Sequence, residues 1–383
     1  MSVDLKEFAA HCGFEPDVFD RSLWNVLKQS DKPIWLYGMG DGCLKVMRAM
    51  ELHGLKAAGI FASDDFAREK IFCGYPIKRF SDVKAMYRPD EFIILLCFAA
   101  FRDDLYPVIL DIASQYELYA PDVPVVYDPE CTKEDFFSPE YIKAHEDAFT
   151  AVFDKLADEQ SKTVFRDVLA FKCTGKVQYL EHCTTDMNEV YRELVKPDAS
   201  DVYVDLGAYN GDTVTEFLQY SGGSCQKVIA LEPDVRNHRK LCAQIDLLKD
   251  SAGDTEFIPV HAGAHSCEGT MTFAVGTGRS GKLSGNDKPK KTIEIRVCAV
   301  DDLLDGTAAD VIKLDVEGAE REALIGCEKA IRCDKPRLMV SAYHRNEDLF
   351  ALPLQILAMN ADYQVYLRHH RYIPAWETCY YMI

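Results

Sequence analysis

Two tandem α/β units joined by a helical segment are the fold this sequence predicts, and two patterns carry the prediction. Short apolar strand runs alternate with amphipathic helical stretches over residues 1–128 and again over 201–383. Alternation of that kind builds parallel sheets with crossover helices. Between the two, over 129–200, strand signals vanish and long amphipathic stretches replace them. A length of 383 residues suits two cores better than one, and 48% hydrophobic residues can fill both.

In the first unit, residues 33–38 (PIWLYG) form an apolar strand that ends in the turn Gly38-Met39-Gly40-Asp41-Gly42. A helix at 43–53, a strand at 56–61, a short helix near 81–87, a strand at 91–98 and a helix at 103–116 follow. This unit reads as a small Rossmann-like α/β domain. Its longest apolar run, 92–100 (FIILLCFAA), is too short to span a bilayer and suits a buried strand. The stretches 141–157 and 162–173 read as helices that link the units and cover the pocket of the second. Pro197-Asp198-Ala199-Ser200 is a turn-rich break before the alternation resumes.

In the second unit, strands are expected at 202–206, 227–232, 257–262, 310–315 and 337–342, with helices at 213–220, 236–248, 319–331 and 349–360. Two closing strand runs, 363–368 and 378–383, have no helix between them and predict an antiparallel hairpin at a sheet edge. Residues 271–275 and 293–300 predict an extra hairpin.

The formal charge of −19 argues against a nucleic-acid partner, since that binding relies on clustered Lys and Arg. It also disfavours attachment to anionic lipid by charge alone. The opening MSVDLKEFAAHCGF has early acids and no apolar signal core, so a cytoplasmic protein is expected. Fourteen cysteines without a CxxC pair read as reduced, mostly buried thiols rather than as a zinc site.

The chemistry concentrates in Val202-Tyr203-Val204-Asp205-Leu206-Gly207-Ala208-Tyr209-Asn210-Gly211-Asp212-Thr213, where a buried strand delivers an acid and then a glycine turn that opens a helix. Ligands of open α/β sheets bind at such strand ends. Gly207 and Gly211 allow close backbone approach, and Asp205 is placed to receive a ligand's ammonium. The next strand ends in Glu232-Pro233, and a carboxylate there can accept both ribose hydroxyls of an adenosine ligand. NAD enzymes share that spacing. The turn, however, is Gly-x-x-x-Gly rather than Gly-x-Gly-x-x-Gly and contains no Arg or Lys, which disfavours a pyrophosphate.

DLGAYNGDT, ALEPD, HAGAHSCEGTMTF, RVCAVDDLL and VIKLDVEGAEREALIG occur in the order seen in the FkbM family of methyltransferases, followed by Tyr343-His344 and LRHH at 367–370. The second unit therefore resembles that family from about Asp201 to its end. The resemblance implies a seven-stranded class I methyltransferase sheet with an antiparallel edge strand, S-adenosyl-L-methionine as cofactor and methylation of a hydroxyl oxygen. It places Asp205, Gly207 and Asn210 at the methionine end and Glu232 at the ribose, with Ala208, Gly211, Asp212, Thr213 and Pro233 as further cofactor-binding residues. Ala262, Gly263, Ala264 and His265 fall where an adenine-contacting loop sits, and Asp315 and Glu317 face the reacting methyl. A hydroxyl needs a group to take its proton; the candidates are His344, Asp315 and Glu317, with His369 and His370 behind them. Asp315 also suits a metal ligand, although no compact Asp/His cluster in the sequence demands a metal. The acceptor is expected to be a glycan or secondary metabolite.

Other readings stay open. Glu317 can cap the helix that follows it, and the loop 276–286, with Arg279, Ser280 and Ser284, reads as a surface turn or a substrate loop. The turn at 38–42, with Asp64 and Asp65 after the next strand, resembles a sugar-nucleotide module, and an NAD-binding oxidoreductase or epimerase would use it. A non-catalytic module that keeps a cofactor pocket is the third alternative.

Overall fold

The computed structural model describes residues 4–15, 17–67, 71–126, 131–275 and 291–383; the loop 276–286 lies outside them. The first half builds a six-stranded sheet from β1 (Ile34–Tyr37), β2 (Gly59–Ala62), β3 (Ile71–Phe72), β4 (Tyr75–Arg79), β5 (Ile93–Leu96) and β6 (Glu117–Tyr119), in the order β3-β4-β2-β1-β5-β6. Its pairings are parallel except β3 with β4. The central strands β1, β2 and β5 are buried along their whole length, which is why they read as unbroken apolar runs.

The second sheet starts with β7 (Val202–Leu206), β8 (Lys227–Leu231) and β9 (Glu256–Val260). The chain then leaves for a small sheet of β10 (Gly263–Ala264), β11 (Gly269–Val275) and β12 (Lys291–Cys298). It returns with β13 (Val311–Leu314), β14 (Arg337–Ser341), β15 (Val365–His369) and β16 (Thr378–Met382). The order is β15-β16-β14-β13-β7-β8-β9. Strand β16 runs antiparallel to both neighbours, and the hairpin expected at the edge is there with its last strand on the inner side.

Two predicted helices are each two. The stretch 141–157 divides at His145 into Pro139–Ala144 and Glu146–Phe153. The stretch 319–331 becomes Glu320–Ile325 and Glu328–Cys333, because the Asp301 carboxylate accepts the N–H groups of Lys329 and Ala330 (2.8 and 3.0 Å) and starts the second helix afresh.

Part of the helical segment packs along β15, and its last turns, with Val190, Tyr191 and Val195, pack against the helix Asp212–Tyr220. Ala157 N–H donates to the Val365 carbonyl at 2.9 Å, and Thr185 N–H to that of His369 at 2.7 Å. Asp158 caps the helix Glu159–Thr174 by accepting from Ser161 N–H (2.7 Å) and also holds the buried Arg368 guanidinium at 2.6 Å. The edge strand is thereby covered. The two halves meet where Ala100 and Ile373 exchange backbone hydrogen bonds (2.8 and 2.9 Å) and Phe101 stacks on Tyr372 at 4.8 Å. Among the described residues no helix is long and apolar enough to cross a membrane.

Candidate functional site

From β7 the chain moves outward to β8 and β9, then returns on the other flank as β13. The carboxyl ends of β7 and β13 therefore border the switch point of the sheet, where a ligand crevice opens. Gly207 ends β7 with φ +86°, and a Cβ there would stand 1.9 Å from the Asp315 carbonyl oxygen. The N–H groups of Gly207 and Ala208 both donate to the Leu231 carbonyl, at 3.1 and 2.9 Å. Ala208 is buried, Tyr209 is exposed in the left-handed region, and Gly211 leads into the helix Asp212–Tyr220. Asn210 Oδ1 accepts from Asp212 N–H at 3.2 Å. On the helix side of this turn lies an open groove of about 530 Å³, lined by Asn210, Asp212, Thr213, Glu216 and Gln244 among others.

Asp205 is fully buried and already engaged. Its carboxylate accepts from the Thr213 hydroxyl and faces the Lys313 ammonium at 3.4 Å. The ammonium that faces Asp205 in this structure is the protein's own Lys313. Lys313 also approaches Asp315 at 3.9 Å. Burial works against its charge, yet the carboxylates of Asp205 and Asp315 hold its pKa above the ordinary lysine value. Sequence reasoning passed over Lys313; a lone cation inside the strand run VIKLD was the signal. Lys313→Met should leave the Asp205 carboxylate buried without a counter-charge and cost about 3–5 kcal/mol. Urea unfolding measures this, and a variant as stable as the parent would refute it.

Glu232 follows β8 and is 6% exposed. Its Oε2 accepts from Tyr209 N–H at 3.0 Å and its Oε1 from Asp234 N–H at 2.8 Å, which fixes the carboxylate beside the glycine turn. Burial, helped by Asp234 and Asp205, pushes its pKa up to about 7, against the pull of those two N–H groups. Pro233 is half-buried, and its carbonyl is 3.1 Å from His261 Nε2. Ala262 and Ala264 turn into the core, so the predicted adenine loop offers backbone and the half-buried Gly263.

A second cluster forms where β13 and β14 end. His344 is 1% exposed; its Nε2 lies 3.5 Å from Asp315 Oδ1 and 3.6 Å from Glu317 Oε2, and its Nδ1 is 2.9 Å from Glu320 Oε1. Tyr343 donates its hydroxyl to Asp315 at 3.1 Å. Glu317 points outward, while Glu320 accepts from Val316 N–H (3.0 Å) and Gly318 N–H (3.3 Å). The acid that serves this turn is therefore Glu320, which the sequence reading missed, and not Glu317. Burial disfavours charge on His344, but Glu320, Asp315 and Glu317 together raise its pKa to about 9. In this state the imidazole carries a proton, which runs counter to a role as the base. His369 and His370 stand apart on the β15 side, buried, with both nitrogens of each bonded: His369 to Thr378 and Tyr372, His370 to Thr185 and Tyr381. Burial pushes their pKa values down to about 3 and about 4, so both are neutral.

The glycine turn of the first half is put to packing use. A Cβ on Gly38 would stand 2.5 Å from the Phe98 ring, and one on Gly42 2.3 Å from the Cys97 carbonyl. Asp64 accepts from Ser81 N–H at 3.0 Å, and Asp65 is exposed.

Residues 205–374 match the family model described as the methyltransferase FkbM domain. The crystal structure of methyltransferase FkbM from Methylobacillus flagellatus KT is similar over 98% of this chain and 98% of its own, with a TM-score of 0.73 and 22% identity. At that identity the likeness speaks to fold, and it spans both sheets. A putative rRNA-methylase from Clostridium thermocellum (12% identity, 51% of this chain and 92% of that one) and the Aeropyrum pernix fibrillarin in complex with natively bound S-adenosyl-L-methionine (11%, 51% and 72%) match at TM-scores of 0.32, too low to argue from. No curated protein matches the chain. Strand order, switch-point crevice and motif match agree: over residues 205–374 this chain carries a methyltransferase domain of the FkbM family.

Proposed function

We propose that the chain is an S-adenosylmethionine-dependent O-methyltransferase that acts on a hydroxyl of a glycan or secondary metabolite. The observation that carries the reading is Glu232, a buried carboxylate clamped by two backbone N–H groups at the end of β8, beside the turn that Gly207 enters without a side chain. An anion so held has lone pairs left for a vicinal diol, and hydrogen bonds from such a diol offset its burial. The fit extends to the backbone of Gly207–Gly211 and stops at Asp205, which Lys313 occupies. When bound, the cofactor supplies a methyl group on a sulfonium, released to a nucleophile while the sulfur keeps the bonding pair. The chain's part is to orient the hydroxyl and hold its proton, and Glu317, 75% exposed at the mouth, is the carboxylate with room to do so.

A net charge of −19 favours a neutral acceptor over a polyanion. Fourteen free cysteines suit a reducing, cytoplasmic setting. In this reading residues 201–383 perform the transfer, 129–200 brace the sheet, and 1–128 serve acceptor recognition. Calorimetry of the full chain with S-adenosylhomocysteine should show one site, and labelled methyl should pass to a member of a hydroxylated sugar panel. Binding without turnover would leave a cofactor-binding module, and absence of binding would end the proposal.

A further inference from the structure

Asp315, Glu320 and His344 form the one group of three among the described residues whose ligand atoms all lie within 4.8 Å of one another. They come from two neighbouring strand ends and the helix start between them, so the sheet itself fixes their spacing. The fold satisfies the group only in part: Tyr343 donates to Asp315, and Val316 and Gly318 N–H donate to one oxygen of Glu320. Glu320 and His344 are each 1% exposed, yet Glu320 Oε2 and both ring nitrogens of His344 have no hydrogen-bond partner. Nδ1 lies 2.9 Å from Glu320 Oε1, an ion-pair contact between two buried groups. Asp348, fully buried beside them, leaves its Oδ1 unpaired as well. Buried polar atoms normally find partners, and several such orphans converging on one point indicate a missing one. Four carboxylates, those of Asp315, Glu317, Glu320 and Asp348, surround one imidazole. Lys313, at 3.9 Å from Asp315, is shared with Asp205. The missing partner is therefore a cation that takes the place of the His344 proton.

We infer that Asp315, Glu320 and His344 bind a first-row divalent metal ion through two carboxylate oxygens and one imidazole nitrogen. The mixed O,O,N donor set suits Mn²⁺, Fe²⁺ or Zn²⁺ better than Ca²⁺, which takes six or more oxygens. Bond lengths near 2.0–2.3 Å let such an ion bridge donors spread over about 4–5 Å with small side-chain movements. Three protein ligands leave coordination positions open. They open toward Glu317 and the 28%-exposed Asp315, the side from which an acceptor enters. That placement rests on the methyltransferase reading, whereas the metal site does not: there the ion would take the acceptor's hydroxyl oxygen as a ligand and make its proton easier to remove.

The test uses the full chain and Mn²⁺ alone. Electron paramagnetic resonance titration should show one bound ion per chain, with nitrogen hyperfine coupling from a directly bound imidazole. Asp315→Asn and His344→Gln should each weaken binding by at least roughly a hundredfold, the upper range for loss of even an outer partner of a metal ligand. Glu232→Gln should bind Mn²⁺ like the parent. Absence of binding to the parent at millimolar Mn²⁺, a spectrum without nitrogen coupling, or binding that survives both substitutions overturns the site. Should a variant fail to fold, the nitrogen coupling in the parent decides alone. Because no cofactor is present, failure here leaves the Glu232 reading standing, and failure of S-adenosylhomocysteine binding leaves the metal site standing.

Discussion

Glu232→Ala should weaken S-adenosylhomocysteine binding by roughly two to four orders of magnitude in calorimetry, the value of two charge-assisted hydrogen bonds at about 1.5–3 kcal/mol each. The same carboxylate gives the binding a pH dependence of known sign. Its pKa in the ligand-free protein stands near 7, and the ionised form is the one that accepts a diol. Affinity should therefore rise with pH through 7 and be about tenfold weaker at pH 6 than at pH 8. Glu232→Gln should flatten that profile. Linkage fixes the effect on stability as well. A carboxyl whose folded pKa lies above its unfolded value binds more protons when folded, so its contribution is greatest below pH 4.5 and is lost as pH rises toward 7. Unaltered affinity in the alanine variant, or a flat pH profile in the parent, would remove the ribose assignment.

Gly207→Ala should be the most damaging single methyl in the second sheet. The new carbon would stand 1.9 Å from the Asp315 carbonyl oxygen, a backbone atom that moves only if β7 and β13 part. Gly222 is the matched control: its φ is also +86°, and nothing lies within 4 Å of its would-be Cβ. At Gly222 alanine should cost about 1 kcal/mol of backbone strain, whereas at Gly207 the steric conflict adds several kcal/mol more. Thermal unfolding of the two variants separates these contributions. S-adenosylhomocysteine binding should vanish in the first and persist in the second. Equal losses would mean that the turn tolerates a side chain and that the crevice is not closed by Gly207.

The sequence showed most where burial was complete. Strands β7, β8, β13 and β14 are buried at nearly every position and mostly apolar, so their runs were legible almost to the residue. Strands β4 and β6 escaped notice because one mixes exposed and half-buried positions (YPIKR) and the other has three residues. Helix ends misled where a distant side chain supplies the cap, as Asp301 does for Glu328–Cys333. At the site, the glycine turn and Glu232 were readable from local order. The partnership of Lys313 with Asp205, and of Glu320 with His344, was not, because both join side chains from separate strands or turns. Charge direction at His344 depends on three carboxylates converging in space, which no linear pattern states.

Strand β16 is the last of its sheet in chain order, yet it lies between β14 and β15, bonded to both. A ribosome delivers residues in order, so β15 has no partner on the sheet until Thr378–Met382 has left the exit tunnel. The first sheet can be complete long before then. Synthesis should thus pass through a stage with one finished half and one unfinished half, during which the bared flank of β14 is the surface that a chaperone would need to shield.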